Sequence, residues 1–139
     1  PGSPPPVGSF LDAYPMSVLT TSTLKRLNEL EPGSRFDERR FRMNVIVDTE
    51  RLGFIENDWV GHDLAFGETT RLGVTLPDPR CVMTTLAQGD LPKDADVLRA
   101  IVRHNNLQVR DLGQLPCVGV YAVVGMRGPV RIGDPVTIG

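Results

Sequence analysis

The stretch best suited to chemistry in this 139-residue chain is Leu76-Pro77-Asp78-Pro79-Arg80-Cys81-Val82-Met83-Thr84-Thr85. Cys81 follows an arginine and two prolines, so its thiol has a cation beside it and a backbone stiffened by fixed φ angles. The thiolate is both the nucleophile and the metal ligand, and a neighbouring cation such as Arg80 favours that charged form. No second cysteine or histidine lies at zinc spacing, so a metal here takes Cys81 as its single protein ligand and needs a cofactor to supply the rest. The commonest fate of an intracellular free cysteine, packing as a small hydrophobe, outweighs ligation when the residue is read alone. Thr84 and Thr85 offer hydroxyls to a ligand, or pair across strands.

A second stretch, Arg35-Phe36-Asp37-Glu38-Arg39-Arg40-Phe41-Arg42-Met43-Asn44, places four arginines within eight residues of a chain whose net charge is −2. Fork-shaped donors at that density suit phosphate or carboxylate. Asp37 and Glu38 among them favour a surface loop laced with salt bridges when the run is taken alone. Asn44 brings a neutral amide to the start of a strand, able to recognise a heterocycle edge or to close a turn. Further upstream, Thr20-Thr21-Ser22-Thr23 leads four hydroxyls into a helix. That is a candidate anion cradle, although simple capping accounts for it more readily.

Familiar catalytic signatures are missing. The chain has no G-x-S-x-G elbow, no G-x-x-x-x-G-K-[ST] loop and no G-x-G-x-x-G after a strand. His62 and His104 fall in no H-x-x-x-H pattern and read as exposed or satisfied histidines. His104-Asn105 paired with Cys81 in a thiol enzyme remains an alternative, since such partners need not be close in sequence. Trp59 reads as a packing anchor.

The elements that must position these residues read as one domain over residues 10–139 behind a flexible linker at 1–9. Pro1 to Gly8 contains four prolines and two glycines. An apolar content of 40% supports one sizeable core, and the mild negative charge argues against a nucleic-acid or membrane-surface partner. Cys81 and Cys117 are too few and too separated for a disulfide framework. No apolar run is long enough to span a bilayer, so a soluble cytoplasmic domain is expected. Helical spacing of Leu24, Leu27 and Leu30 behind Ser22 as N-cap predicts a helix over 22–31. Val97, Leu98, Ile101 and Val102 predict another over 95–105. Strand-like runs cover 44–48, 63–66, 70–76, 80–85, 118–126 and 130–138. Short strands outnumber helices, and a closed or nearly closed barrel would protect their edges.

Taken together, the chain resembles the MOSC domain, the molybdenum-cofactor sulfurase C-terminal domain. The resemblance rests on Phe10-Leu11-Asp12-Ala13-Tyr14-Pro15, Thr20-Thr21-Ser22-Thr23-Leu24, Arg40-Phe41-Arg42-Met43-Asn44, Asp58-Trp59-Val60-Gly61, Pro79-Arg80-Cys81-Val82-Met83-Thr84-Thr85, Gly119-Val120-Tyr121-Ala122 and Val130-Arg131-Ile132-Gly133-Asp134-Pro135-Val136, which run in the family's order. It implies a mainly β, barrel-like fold with about two α-helices. It also implies binding of the molybdenum cofactor, a molybdopterin. Cys81 stands at the place of the metal-ligating and catalytic cysteine, and Arg42 and Asn44 match the motif facing the pterin. Ser22, Arg80 and Thr84 fall near the same site. The activity implied is two-electron reduction of N-oxygenated small molecules or sulfur transfer, with a separate electron-donor or sulfur-donor protein. A non-catalytic cofactor-binding or interaction module is the alternative. Two departures stand out: Met43 replaces the proline common in the family, and Leu86-Ala87-Gln88-Gly89-Asp90 replaces the acidic, proline-containing turn of amidoxime reducers.

Overall fold

The computed structural model describes residues 16–139. The linker expected over 1–9 and the 10–15 stretch of the family resemblance lie outside the described residues. In chain order the elements are β1 (Met16–Thr20), α1 (Thr21–Leu30), β2 (Val45–Val47), β3 (Asp63–Phe66), β4 (Thr70–Pro79), α2 (Asp96–His104), β5 (Asn106–Gln108), β6 (Gln114–Met126) and β7 (Val136–Ile138). Short 3₁₀ turns at Glu38–Arg40, Ile55–Trp59, Val82–Thr85 and Arg110–Leu112 join them. The sheet runs β2-β1-β6-β4-β3-β7, with β5 paired to β6 off that path. Among the described residues only the β1 and β2 pairing is parallel.

One apolar cluster explains why the sheet wraps. Val18, Val47, Leu64, Phe66, Leu72, Val74, Val120 and Ala122 share a core with Trp59, and Val136 packs against it. Strands from both ends of the sheet therefore contribute to the same interior, as a nearly closed barrel requires. Register shifts between β4 and β6 add the local bending. The outer face of β1 and β6 is covered by the helices, where Leu19 and Val118 meet Leu27, Val97, Ala100 and Ile101, together with Phe36 and Phe41. Trp59 is buried as a packing anchor. Gly119 is required where β6 crosses β1: its φ is +78°, and a Cβ there would stand 2.6 Å from the Val18 carbonyl oxygen.

Both helices form where apolar spacing placed them, with α1 starting one residue early because Thr20, not Ser22, is its N-cap. The Thr20 hydroxyl accepts the Thr23 N–H at 3.2 Å. The run predicted as a strand over 80–85 is instead a 3₁₀ turn. Thr84 and Thr85 turn their hydroxyls back onto the carbonyls of Cys81 and Val82, at 3.0 and 2.6 Å, which satisfies those carbonyls locally and removes the cross-strand pairing expected of the threonines. The strand expected over 130–138 shrinks to β7, and β1 and β5 form where none was predicted.

Candidate functional site

Strand β4 delivers Cys81 to the surface. Its residues alternate strictly between buried and half-buried positions from Thr70 to Pro79. That period of two carries Asp78 into the interior and puts Arg80, two residues on, on the same face, with Arg80 Nη1 donating to Asp78 at 2.8 Å. Arg80 N–H still reaches the Pro116 carbonyl at 2.8 Å, and the chain then leaves the sheet at Cys81. The two thiols divide as the sequence could not foretell. Cys81 is exposed, whereas Cys117 is buried and its thiol is pushed up to about 12 by burial and by the nearby Asp78 charge. Packing as an inert hydrophobe is the role of Cys117, and Cys81 is the accessible one.

The turn after Cys81 is tightly held. Thr84 is fully buried and directs both its N–H, at 3.2 Å, and its hydroxyl, at 3.0 Å, to the Cys81 carbonyl. Thr84 thus fixes the backbone behind the thiol and is not itself presented to solvent.

The arginine run resolves into three fates. Arg35 and Arg39 form the salt-bridged surface cluster, reaching Asp90 at 3.2 and 2.7 Å and Asp37 at 3.8 and 3.0 Å. Hydrogen bonds from Arg39 hold the Asp37 and Asp90 carboxyls below the usual range. Arg40 turns inward, is 1% exposed, and donates to the carbonyls of Arg35 and Pro92 at 2.8 and 3.0 Å and, at 3.5 Å, to those of Thr84 and Leu86. Arg42 is exposed and, among the described residues, is the one member of the run with neither an ion pair nor a side-chain hydrogen bond. Its φ of +53° lies in the left-handed region that non-glycine residues rarely adopt. A following proline would disfavour that backbone, so Met43 in the proline's place leaves it accessible.

Arg80 brings the two segments together. Its Nη2 donates to the Phe41 carbonyl at 2.7 Å, and its guanidinium carbon lies 5.8 Å from the centroid of the Phe41 ring. Cys81 follows Arg80 and Arg42 follows Phe41, so this contact ties the segment bearing the exposed thiol to the segment bearing Arg42, whose guanidinium has no partner among the described residues. Arg80 itself is occupied by Asp78 and Phe41, which makes it a positioning group.

The remaining expected residues are placed as follows. Asn44 is exposed, and its Oδ1 accepts from the Ser17 N–H at 2.8 Å and hydroxyl at 3.1 Å, closing β1 onto β2; its Nδ2 donates to no described residue. Ser22 is fully buried with its hydroxyl 2.5 Å from that of Thr49, a structural position at the helix start. His104 Nε2 lies 3.0 Å from Glu31, and Asn105 bonds Asn57 and the Cys117 carbonyl, so the described partners of this pair do not include Cys81.

Sequence reasoning missed Glu56. The hydroxyl cradle before α1 does hold a carboxyl group, but an internal one. The Glu56 carboxylate accepts from the Thr20 N–H at 2.8 Å and from the Thr20 and Thr23 hydroxyls. It is fully buried, and burial raises its pKa against the pull of those hydrogen bonds. A lone Glu in Glu56-Asn57-Asp58-Trp59 carried no signal of that role.

The family model of the MOSC domain matches residues 6–137. The chain belongs to the MOSC domain family. Curated relatives of this MOSC chain include mitochondrial amidoxime reducing component 2 of Macaca fascicularis, 29% identical over 134 residues, covering 92% of this chain and 38% of that protein. Mitochondrial amidoxime-reducing component 1 of Mus musculus is 26% identical, with 92% and 37% covered. The component 1 protein of Xenopus laevis is 28% identical with the same coverage. The chain thus spans less than two-fifths of the length of these relatives. They are mitochondrial by name, whereas the sequence alone led to an expectation of cytoplasm. Among the described residues no helix is long and apolar enough to cross a membrane.

Proposed function

We propose that this MOSC domain holds a molybdenum cofactor through Cys81 and takes part in the two-electron reduction of N-oxygenated small molecules. The observation that carries this reading is the exposed Cys81 thiol on a segment that the contact of Arg80 with Phe41 ties to the segment of Arg42, itself exposed and unpaired among the described residues. The donor set fits the cofactor. Among the described residues no group of three His, Cys, Asp or Glu could hold a metal, so a metal at Cys81 needs the further ligands that a pterin dithiolene brings. The cofactor, when bound, supplies a metal able to exchange two electrons.

The protein's own part is positional and electrostatic. Cys81 offers one soft ligand on a turn that Thr84 fixes. Arg42, exposed and free of carboxylates among the described residues, meets the anionic periphery of the cofactor, and Asn44 offers its Nδ2 to a heterocycle edge. Arg80 keeps Arg42 and Cys81 in register, and Ser22 supports the helix start from within the fold. Reduction of an N-hydroxylated substrate breaks the N–O bond, consumes two electrons and two protons, and releases the amine or amidine with water. A separate electron-donor protein must supply the electrons. Sulfur transfer would use the same thiol, but the names of the relatives favour reduction.

The test is turnover of benzamidoxime by molybdenum-loaded protein with a supplied electron donor. Formation of benzamidine that is lost in Cys81→Ala is expected. Bound metal without detectable reduction would favour the binding module, and turnover by molybdenum-free protein that depends on His104 would favour the thiol enzyme.

A further inference from the structure

Arg40 is the charge this reading leaves unused, and its placement is costly. Its guanidinium is 1% exposed and forms no ion pair among the described residues. Burying a cation without a carboxylate is unfavourable, and apolar residues of similar volume often replace buried charges at no loss of stability. What Arg40 does supply is a planar fork spread over carbonyls that no apolar side chain could gather. It ties the loop before it, at Arg35, to three points downstream of Cys81: Thr84, Leu86 and Pro92. Thr84 in turn holds the Cys81 carbonyl with its N–H and hydroxyl.

Arg80 runs the opposite way. It starts beside Cys81 and ends on the Phe41 carbonyl, one residue before Arg42. Each segment therefore sends one arginine to the backbone of the other, and Arg42 and Cys81, each next in sequence to one end of the Arg80 contact, are both exposed.

We infer that Arg40 is a positioning residue: with Arg80 it forms a reciprocal clasp that fixes the thiol of Cys81 relative to Arg42 before any ligand arrives. The metal-facing half of this inference rests on the function proposed above. The clasp itself does not, and can be read in the apo protein. Lysine keeps the charge but cannot span the same carbonyls, and methionine keeps the bulk but donates nothing.

Hydrogen exchange over residues 80–92 should be compared in apo wild type, Arg40→Lys and Arg40→Met, with residues 114–126 as the internal reference. Molybdenum content and the electron paramagnetic resonance spectrum of the partly reduced metal should then be compared in the loaded proteins. Both variants are expected to keep wild-type protection in 114–126 while exchanging about tenfold faster over 80–92. Both should hold less than about half the wild-type metal, with a shifted or broadened spectrum. Arg40→Met is the variant expected to fold even if a buried lysine is not tolerated. Wild-type exchange over 80–92 with a wild-type spectrum in Arg40→Met would overturn the inference, because bulk alone would then suffice. If no protein, wild type included, takes up molybdenum, the proposed function fails while hydrogen exchange still decides the clasp.

Discussion

Arg80 and Phe41 are joined twice, by a 2.7 Å hydrogen bond from guanidinium to carbonyl and by the guanidinium lying 5.8 Å from the ring centroid. The contact spans 39 positions of sequence and connects the segment that carries Cys81 to the one that carries Arg42. Its other arm ends on Asp78, which is fully buried. Arg80→Ala removes a largely buried guanidinium from that carboxylate, and loss of one member of such a pair costs about 3 kcal/mol. Urea unfolding should show that loss. The double variant with Asp78→Asn should lose less than the sum of the two single changes, whereas strict additivity would deny the coupling.

Arg42 separates stability from function. Its left-handed backbone is strained for any residue with a Cβ, by about 1 kcal/mol, and glycine relieves that strain at some cost in unfolded-chain entropy. Arg42→Gly is expected to unfold within about 1 kcal/mol of wild type in urea. Its molybdenum content, measured by elemental analysis, should nevertheless fall several-fold. A variant that loads normally would show that the exposed guanidinium contacts no cofactor.

Glu56 gives a pH dependence whose sign is fixed by its burial. Desolvation raises its carboxyl above the ordinary value of 4.5, so the folded chain binds this proton more tightly than the unfolded chain. The resulting stabilisation is complete below that ordinary value and is lost as pH rises through the raised folded value. Glu56→Gln does not titrate. Unfolding free energies measured from pH 4 to 8 should therefore move in favour of the glutamine variant as pH rises across this window. A difference between the two proteins that stays constant with pH would contradict the assignment.

Gly119 tests the crossing of β6 over β1. Alanine there meets the Val18 carbonyl oxygen at 2.6 Å and the Met43 side chain at 2.7 Å, in a backbone with positive φ. Gly119→Ala is expected to cost on the order of 2–4 kcal/mol, read as a lowered denaturation midpoint. A shift of under about 0.5 kcal/mol would mean that the two strands do not approach this closely.

Local signals made the helices legible, because Leu24, Leu27 and the 97–102 stripe obey a period that survives folding. The turn after Cys81 was not, since Val82, Thr84 and Thr85 have strand-like composition, and only the direction of two hydroxyls decides against a strand. Pro77 and Pro79 concealed the last residues of β4, which follow register shifts that tolerate a missing N–H. The arginine run was legible as a cluster but not as separate roles. Arg35, Arg39, Arg40 and Arg42 are alike in type, and tertiary packing alone puts one in the interior, two on carboxylates and one exposed with no partner among the described residues. Likewise, composition could not tell exposed Cys81 from buried Cys117. Family resemblance singled out Cys81, which is the exposed one.

Metal content decides whether Cys81 is the metal ligand. Wild type and Cys81→Ala should be expressed in a host that makes the molybdenum cofactor, purified alike and assayed for molybdenum per chain. Because Cys81 is exposed, the substitution should leave stability within about 0.5 kcal/mol of wild type. Close to one molybdenum per wild-type chain is expected, with most of it lost in Cys81→Ala. Equal molybdenum in the two proteins would contradict Cys81 as the metal ligand.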